Sequence, residues 1–408
     1  MKRIAALYKA SYSGLSPASW WLSVVMLINR SGTMVVPFMT LYLTQSLHYS
    51  ISKAGIVMGI FGAGAICGGF IGGRLADRFG FYAVQLITLS CGGVLFIVLG
   101  QMRTFPMICL FTFLLALVNE SFRPANSVAI AHYSKEENRT RSFSLNRLAI
   151  NLGWALGGSL GGFIAAHNYN LLFVIDGFTN IGAAILLRIF LAPAKQSKAD
   201  KPARIKAPRF QAFRDTRYMV FTLLVLLFAF VFFQLFTTIP VYYRQSLHLS
   251  EEIIGATMAG NGILIALFEM VLVFRLEGRR HPLQLIPIGT LLVALSFVVF
   301  NLMPGALGVA IVSMILVTAG EMLSMPFMNT YWLSRSNDTN RGQYAGMYTV
   351  AWATAQVIGP VSGAAFADKF GFAALWWAIG GVATLCALGY WLLHRAEEKT
   401  NDALAAAK

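Results

Sequence analysis

Gln45-Ser-Leu-His-Tyr-Ser50 recurs two hundred residues later as Gln245-Ser-Leu-His-Leu-Ser250, and Gly55 is matched by Gly255. The correspondence continues in order along the chain. Arg74-Leu75 followed by Gln85-Leu-Ile87 returns as Arg275-Leu276 followed by Gln284-Leu-Ile286. Glu120 and Pro124 return as Glu321 and Pro326, Asn138-Arg139 as Asn340-Arg341, and Gly157 and Gly161 as Gly359 and Gly363. Matches that keep both order and position make the chain a tandem repeat.

The repeated unit is a membrane unit. Of 408 residues, 57% are apolar and only 12% charged, and the mean hydropathy is +0.65. Soluble domains carry about twice that share of charge. The composition excludes a soluble enzyme, a disordered chain and a nucleic-acid-binding domain. Twelve apolar runs are read at 18–43, 52–74, 82–101, 106–131, 143–166, 170–191, 216–243, 253–275, 283–301, 306–332, 343–367 and 372–394. Runs this long must satisfy their backbone internally, so they are helices; barrel strands would be about half as long and would alternate. The expected fold is an all-α polytopic membrane protein with twelve transmembrane helices as two six-helix repeats. Parallel repeats of this kind place a substrate site between the halves near the midplane.

The basic residues orient the chain. Of 32 Lys and Arg, 25 fall on the side of the N-terminus, four in the opposite loops (Lys53, Arg103, Arg244, Lys369) and three inside spans (Arg30, Arg123, Arg147). This predicts both termini in the cytoplasm of a bacterial-type inner (plasma) membrane. It also explains the net charge of +15 without a nucleic-acid partner. Residues 192–215 hold Pro193, Pro202 and Pro208 among basic residues and read as a cytoplasmic linker between halves 1–191 and 216–408. Cys67, Cys91, Cys109 and Cys386 lie in apolar runs and read as buried hydrophobes. No cleaved signal peptide is expected.

Gly73-Arg-Leu-Ala-Asp-Arg-Phe-Gly80 follows the second span, and Gly153, Gly157, Gly158, Gly161 and Gly162 line the fifth. With Gly320-Glu321 and Pro326 in the tenth span, these stretches resemble the major facilitator superfamily over essentially the whole chain. Within it they are similar to the drug/proton antiporter branch, the lactococcal-type multidrug/proton antiporters and their enterobacterial relatives. Phe81 and Tyr82 stand where that family has a basic pair, and Gly158 where it has a proline. The resemblance implies the major facilitator fold and alternating access. It implies a cytoplasmic gate at Gly73, Asp77, Arg78, Gly80 and Arg139. It also implies a sealing contact through Gly153, Gly157 and Gly161, with Gly359, Pro360 and Gly363 as the second copy. From the residues alone, the glycine spacing predicts close helix approach. Asp77 is expected to face either a helix N-terminus or the Arg139/Arg141 loop.

Ionisable groups inside spans are costly and therefore functional candidates. Arg30, Glu120 and Glu321 lie at mid-span, and Asp176, Glu269 and Arg147 nearer the ends. Glu120 and Arg123 share a helix face at i, i+3, with Arg30 a second possible partner. Glu321 has no basic residue one turn away in sequence, so its carboxyl is the leading proton carrier. Glu120, Asp176 and Glu269 are further candidates, with Arg30, Arg123 and Arg147 as charge partners. Asn29, Gln234, Phe233, Met325 and Gln356 are the expected substrate-cavity residues. A wall of Met and aromatics favours a lipophilic small molecule.

The expected function is proton-coupled export of lipophilic drugs or metabolites by a monomer in the lipid bilayer. The alternatives are proton-coupled uptake of a small nutrient or peptide and lipid movement without protons. No cofactor, metal site or enzymatic motif is expected; all six His sit at span ends or in loops.

Overall fold

The computed structural model describes residues 2–191 and 211–406. The secondary structure of the described residues is helical throughout. A short amphipathic helix, α1 (Lys2–Tyr12), precedes the first span. That span is broken at its middle: α2 (Pro17–Ser31) stops at Gly32, α3 (Val35–Leu41) follows, and a π turn (Tyr42–Ser46) closes it. The helices α4 (Ile51–Phe79), α5 (Phe81–Gln101), α6 (Phe105–Tyr133), α7 (Arg139–His167) and α8 (Tyr169–Phe190) complete the first set. After the four-residue α9 (Gln211–Arg214) come α10 (Thr216–Gln245), α11 (Glu251–Leu276), α12 (Pro282–Leu302), α13 (Ala306–Ser334) and α14 (Arg341–Ala406). The linker expectation falls largely on 192–210, outside the described residues.

Among the described residues, eleven helical stretches are long and apolar enough to cross a membrane, the last running Arg341–Thr400 over 60 residues. It bends at Gly371, where φ is 82° and ψ 164°, a region open essentially to glycine alone. Its two arms are separate spans, which brings the number to the twelve read from hydropathy. Gly80 makes the same kind of one-residue reversal between α4 and α5, at φ 89° and ψ 145°. That conformation is a physical reason for the glycine that ends the turn motif.

The repeated hexapeptide has one structure in both copies. Tyr49 N–H donates to Leu43 C=O at 2.9 Å and Leu249 N–H to Tyr243 C=O at 3.0 Å, the closing bonds of a Schellman-type helix end. His48 and His248 carry the left-handed residue, at φ 56° and 52°. Ser50 and Ser250 then cap the next helix by accepting from Lys53 N–H at 3.3 Å and Ile253 N–H at 3.5 Å. Six residues therefore encode a helix stop, a turn and a helix start.

Packing divides the chain into two compact units. One gathers Met1–Ser13, Phe213–Arg335 and Thr354–Lys408; the other gathers Gly14–Ala212 and Ser336–Ala353. The sequence halves follow the repeat, whereas these units follow contacts, so α1 and the start of α14 are grouped differently. In the first unit the Tyr8 hydroxyl of α1 donates to the Leu267 carbonyl of α11. In the second, α4 and α6 meet backbone to backbone: a Cβ on Gly68 would lie 2.4 Å from the Leu117 oxygen.

Candidate functional site

The break in the first span organises the intramembrane charges of the second unit. Gly32 sits against Thr179 of α8, where a Cβ would fall 1.7 Å from Thr179 Oγ1. A broken helix leaves unpaired N–H groups at the start of its second half. Asp176, fully buried, supplies the acceptors: Oδ2 takes Met34 N–H at 2.9 Å and Val35 N–H at 2.7 Å. Its negative charge also faces the positive end of α3. Asp176, one of the carboxylates expected to couple protons, thus has its oxygens on the backbone of α3, as a cap supplied by a distant helix. Asn180, one turn on, accepts from Asn29 Nδ2 at 2.9 Å and ties α8 to α2.

Beside the break lies a pocket of about 40 Å³ whose polar lining includes Asn29, Arg30, Asn119, Glu120 and Asn180, with Phe61, Phe96 and Phe122 among its apolar walls. Glu120 and Arg123 form the expected i, i+3 ion pair at 3.1 Å. Arg30 is electrostatically coupled to both. Its Nε is sealed from solvent and meets no hydrogen-bond acceptor among the described residues. Arg147 of α7 and Arg123 both act on the Tyr348 hydroxyl near the start of α14.

The first unit holds the other two carboxylates. Glu321 of α13 is 2% exposed and accepts from Asn261 Nδ2 of α11, which also donates to Thr318 Oγ1 at 2.9 Å. Glu269 of α11 is equally buried and lies under α1. Burial, then Tyr8, then the Glu269 carboxylate push the Tyr12 phenol above its ordinary value. The four acidic candidates therefore occupy different surroundings: an ion pair for Glu120, backbone donors for Asp176, an amide for Glu321, and the N-terminal helix above Glu269.

The turn after α4 resolves the choice left open for Asp77. Its carboxylate accepts from Gly342 N–H at 2.6 Å and Gln343 N–H at 2.8 Å, at the N-terminus of α14. Gly73 touches the same helix, and a Cβ there would lie 2.2 Å from the Gly342 oxygen. Gly69 and Gly346 meet one turn further along. The contact is thus glycine against glycine with a carboxylate clasp. Arg139 pairs instead with Glu136 at 3.9 Å, and Arg78 lies 5.2 Å from the Phe79 ring.

The glycine stripes pack as their spacing predicts. Gly153, Gly157 and Gly161 place α7 on the broken first span: against Arg30 Cβ, the Ser31 oxygen and Met34. Gly359 and Gly363, flanking Pro360, place α14 on α10 in the same way, against the Phe230 oxygen and Gln234. Gln234 is one of the expected cavity residues. It is fully buried, donates to the Gly359 carbonyl at 2.9 Å and accepts from Thr238. It bridges the two helices. Of the expected cavity residues, Asn29 lines the pocket of the second unit, and Phe233, Gln234, Met325 and Gln356 belong to the first unit.

Two features escaped sequence reasoning. Asn119 lines the pocket next to Glu120, and its only sequence signal is an amide at mid-span. Gly342 and Gly346 repeat the four-residue spacing of Gly69 and Gly73, which is the signal that pairs them.

A family comparison agrees with this architecture. The profile of the Major Facilitator Superfamily matches residues 21–355. The chain belongs to that superfamily and is a multi-pass membrane transporter, not an enzyme. It is 22% identical to a Na(+), Li(+), K(+)/H(+) antiporter of Planococcus maritimus, covering 91% of this chain and 95% of that one. It is also 22% identical to the quinolone resistance protein NorA of Staphylococcus aureus (strain MRSA252), covering 90% and 95%. Among solved structures, the proton:xylose symporter XylE superposes with a TM-score of 0.73 at 18% identity, covering 92% of this chain and 94% of that one. That likeness concerns the fold.

Proposed function

We propose that the chain is a proton-coupled secondary transporter of the plasma membrane, with both termini cytoplasmic, that exports lipophilic drugs or metabolites by alternating access. The observation that carries this reading is Glu321, a carboxyl 2% exposed at mid-span and held by the amide of Asn261. A carboxyl at that depth is expensive to bury, which makes it a functional candidate. Glu321 loads a proton when its side of the site is open and releases it when the other side opens. Glu120 is a second carrier, with Arg123 and Arg30 balancing its charge. Asp77 on the N-terminus of α14 holds the cytoplasmic side shut, and the packed glycine faces are the surfaces on which spans slide. Two similar proteins, one named for cation/proton antiport and one for quinolone resistance, support the antiport reading.

The test is drug accumulation in cells stripped of their own efflux pumps, with norfloxacin and ethidium as probes. Expression of the protein should lower accumulation of at least one probe, and a protonophore should restore it. Unchanged accumulation of both, with the protein present in the membrane, overturns export.

A further inference from the structure

Arg30 poses a problem that the ion pairs of the pocket do not solve. A guanidinium is always charged, and a charge at mid-span needs compensation. Among the described residues Arg30 makes no hydrogen bond or ion pair, and its Nε faces no acceptor. The one carboxylate of the pocket, Glu120, is engaged by Arg123 at 3.1 Å. Two guanidiniums against one carboxylate leave one positive charge in excess.

The neutral groups point the same way. The Asn29 amide donates to Asn180 Oδ1 at 2.9 Å, and the Asn180 amide donates to the Asp176 carbonyl at 2.8 Å, so both NH₂ groups are already engaged. Asn119 lines the same pocket and makes no hydrogen bond among the described residues, leaving its NH₂ as a second donor. A cation would need an excess of carboxylate here, and a sugar would need paired donors and acceptors. The pocket offers donors and a guanidinium whose charge exceeds what the shared Glu120 carboxylate balances. Its volume of about 40 Å³ has room for about three waters at ~10–15 Å³ of cavity space each. It is far below the ~300 Å³ at which drug-sized sites begin. It therefore takes the head of a ligand and not its body.

We propose that this pocket is a carboxylate subsite: the transported molecule carries a carboxylate that Arg30 engages through its planar fork, with Asn119 as a second donor. A guanidinium fork matches a carboxylate in shape and charge. The inference rests on the transporter reading above and adds the substrate class: amphiphilic monoanions or zwitterions rather than purely cationic lipophiles.

Binding to the purified full-length protein in nanodiscs tests it at pH 7.5. The probes are norfloxacin, 2-naphthoate and indole-3-acetate, each paired with its primary carboxamide. At least one acid should bind tenfold or more tightly than its amide. Arg30→Gln should reduce that preference below twofold, and Asn119→Ala should weaken the acid at least threefold. Arg30→Lys, which keeps charge but loses the fork, should keep part of the preference. It serves with Asn119→Ala if Arg30→Gln does not fold. Equal binding of acids and amides, no binding by any acid, or an acid preference that survives Arg30→Gln overturns the proposal and leaves Arg30 as a partner for Glu120 alone. Acid preference without proton-driven efflux from cells would retain this site and remove the export reading. Efflux of ethidium without acid preference would do the reverse.

Discussion

Asp77 Oδ1 accepts the Gly342 amide proton at 2.6 Å, and Oδ2 accepts that of Gln343 at 2.8 Å. The carboxylate caps α14 although 265 residues separate it from Gly342. Hydrogen bonds to a charged group are worth roughly 1.5–3 kcal/mol each, and about 1.4 kcal/mol corresponds to a factor of ten. Asp77→Ala should therefore speed amide exchange at Gly342 and Gln343 by at least tenfold, and Asp77→Asn by less. Hydrogen–deuterium exchange in nanodiscs reads both sites. Unaltered protection would remove Asp77 from the closure of this end.

Asp176 and Glu321 are both buried carboxyls, yet they should respond in opposite ways. Asp176→Ala leaves the Met34 and Val35 N–H groups without acceptors in a buried site, at roughly 1–3 kcal/mol for each group. Its melting temperature in detergent should fall sharply, while Asp176→Asn retains one acceptor and falls less. Glu321→Gln keeps its shape and should melt close to wild type. Equal melting of Asp176→Ala and wild type would show that α3 does not depend on this cap.

Gly153 and Gly158 provide a contrast within one helix. A Cβ on Gly153 would lie 2.6 Å from Arg30 Cβ, whereas one on Gly158 meets nothing within 4 Å. Gly153→Ala should cost about 1–3 kcal/mol through overpacking. Gly158→Ala should gain roughly 0.5–1 kcal/mol through helix propensity. Thermal melting of the two variants separates close packing from propensity; equal shifts would contradict the packing of α7 on the first span.

His281 supplies a pH dependence outside the spans. Its Nδ1 accepts Leu283 N–H at 3.3 Å and caps α12. Burial lowers its pKa, opposed by Glu397 and Glu398 and reinforced by His394, whose ring stacks at 5.4 Å. The native state thus binds this proton less readily than the unfolded chain, whose value lies near ~6.5. The cap's contribution is present above that pH and fades as pH falls below it. His281→Asn, which caps at any pH, should flatten the change in melting temperature between acid and neutral buffer. An unchanged slope would assign the acid sensitivity elsewhere.

Features encoded in neighbouring residues were legible in the sequence. The Gln-Ser-Leu-His-x-Ser turn, the Glu120–Arg123 pair and the stripe from Gly153 to Gly161 each need only local spacing. The break after Ser31 was not legible, because the apolar run continues through Gly32-Thr33 and the cap that makes it tolerable comes from Asp176. The partner of Gln234 was not legible for a related reason. A lone amide in an aromatic helix suggests a cavity, but its partner is the Gly359 carbonyl, 125 residues away. The choice made by Asp77 between a helix end and a basic loop likewise depended on which elements the fold brings together.

The most direct test of proton coupling is norfloxacin and ethidium efflux from pump-deficient cells expressing wild type or Glu321→Gln at equal levels. If Glu321 carries the proton, the variant should reach the membrane, keep its melting temperature and lose efflux to the level seen with a protonophore. Undiminished, protonophore-sensitive efflux by Glu321→Gln would contradict that role.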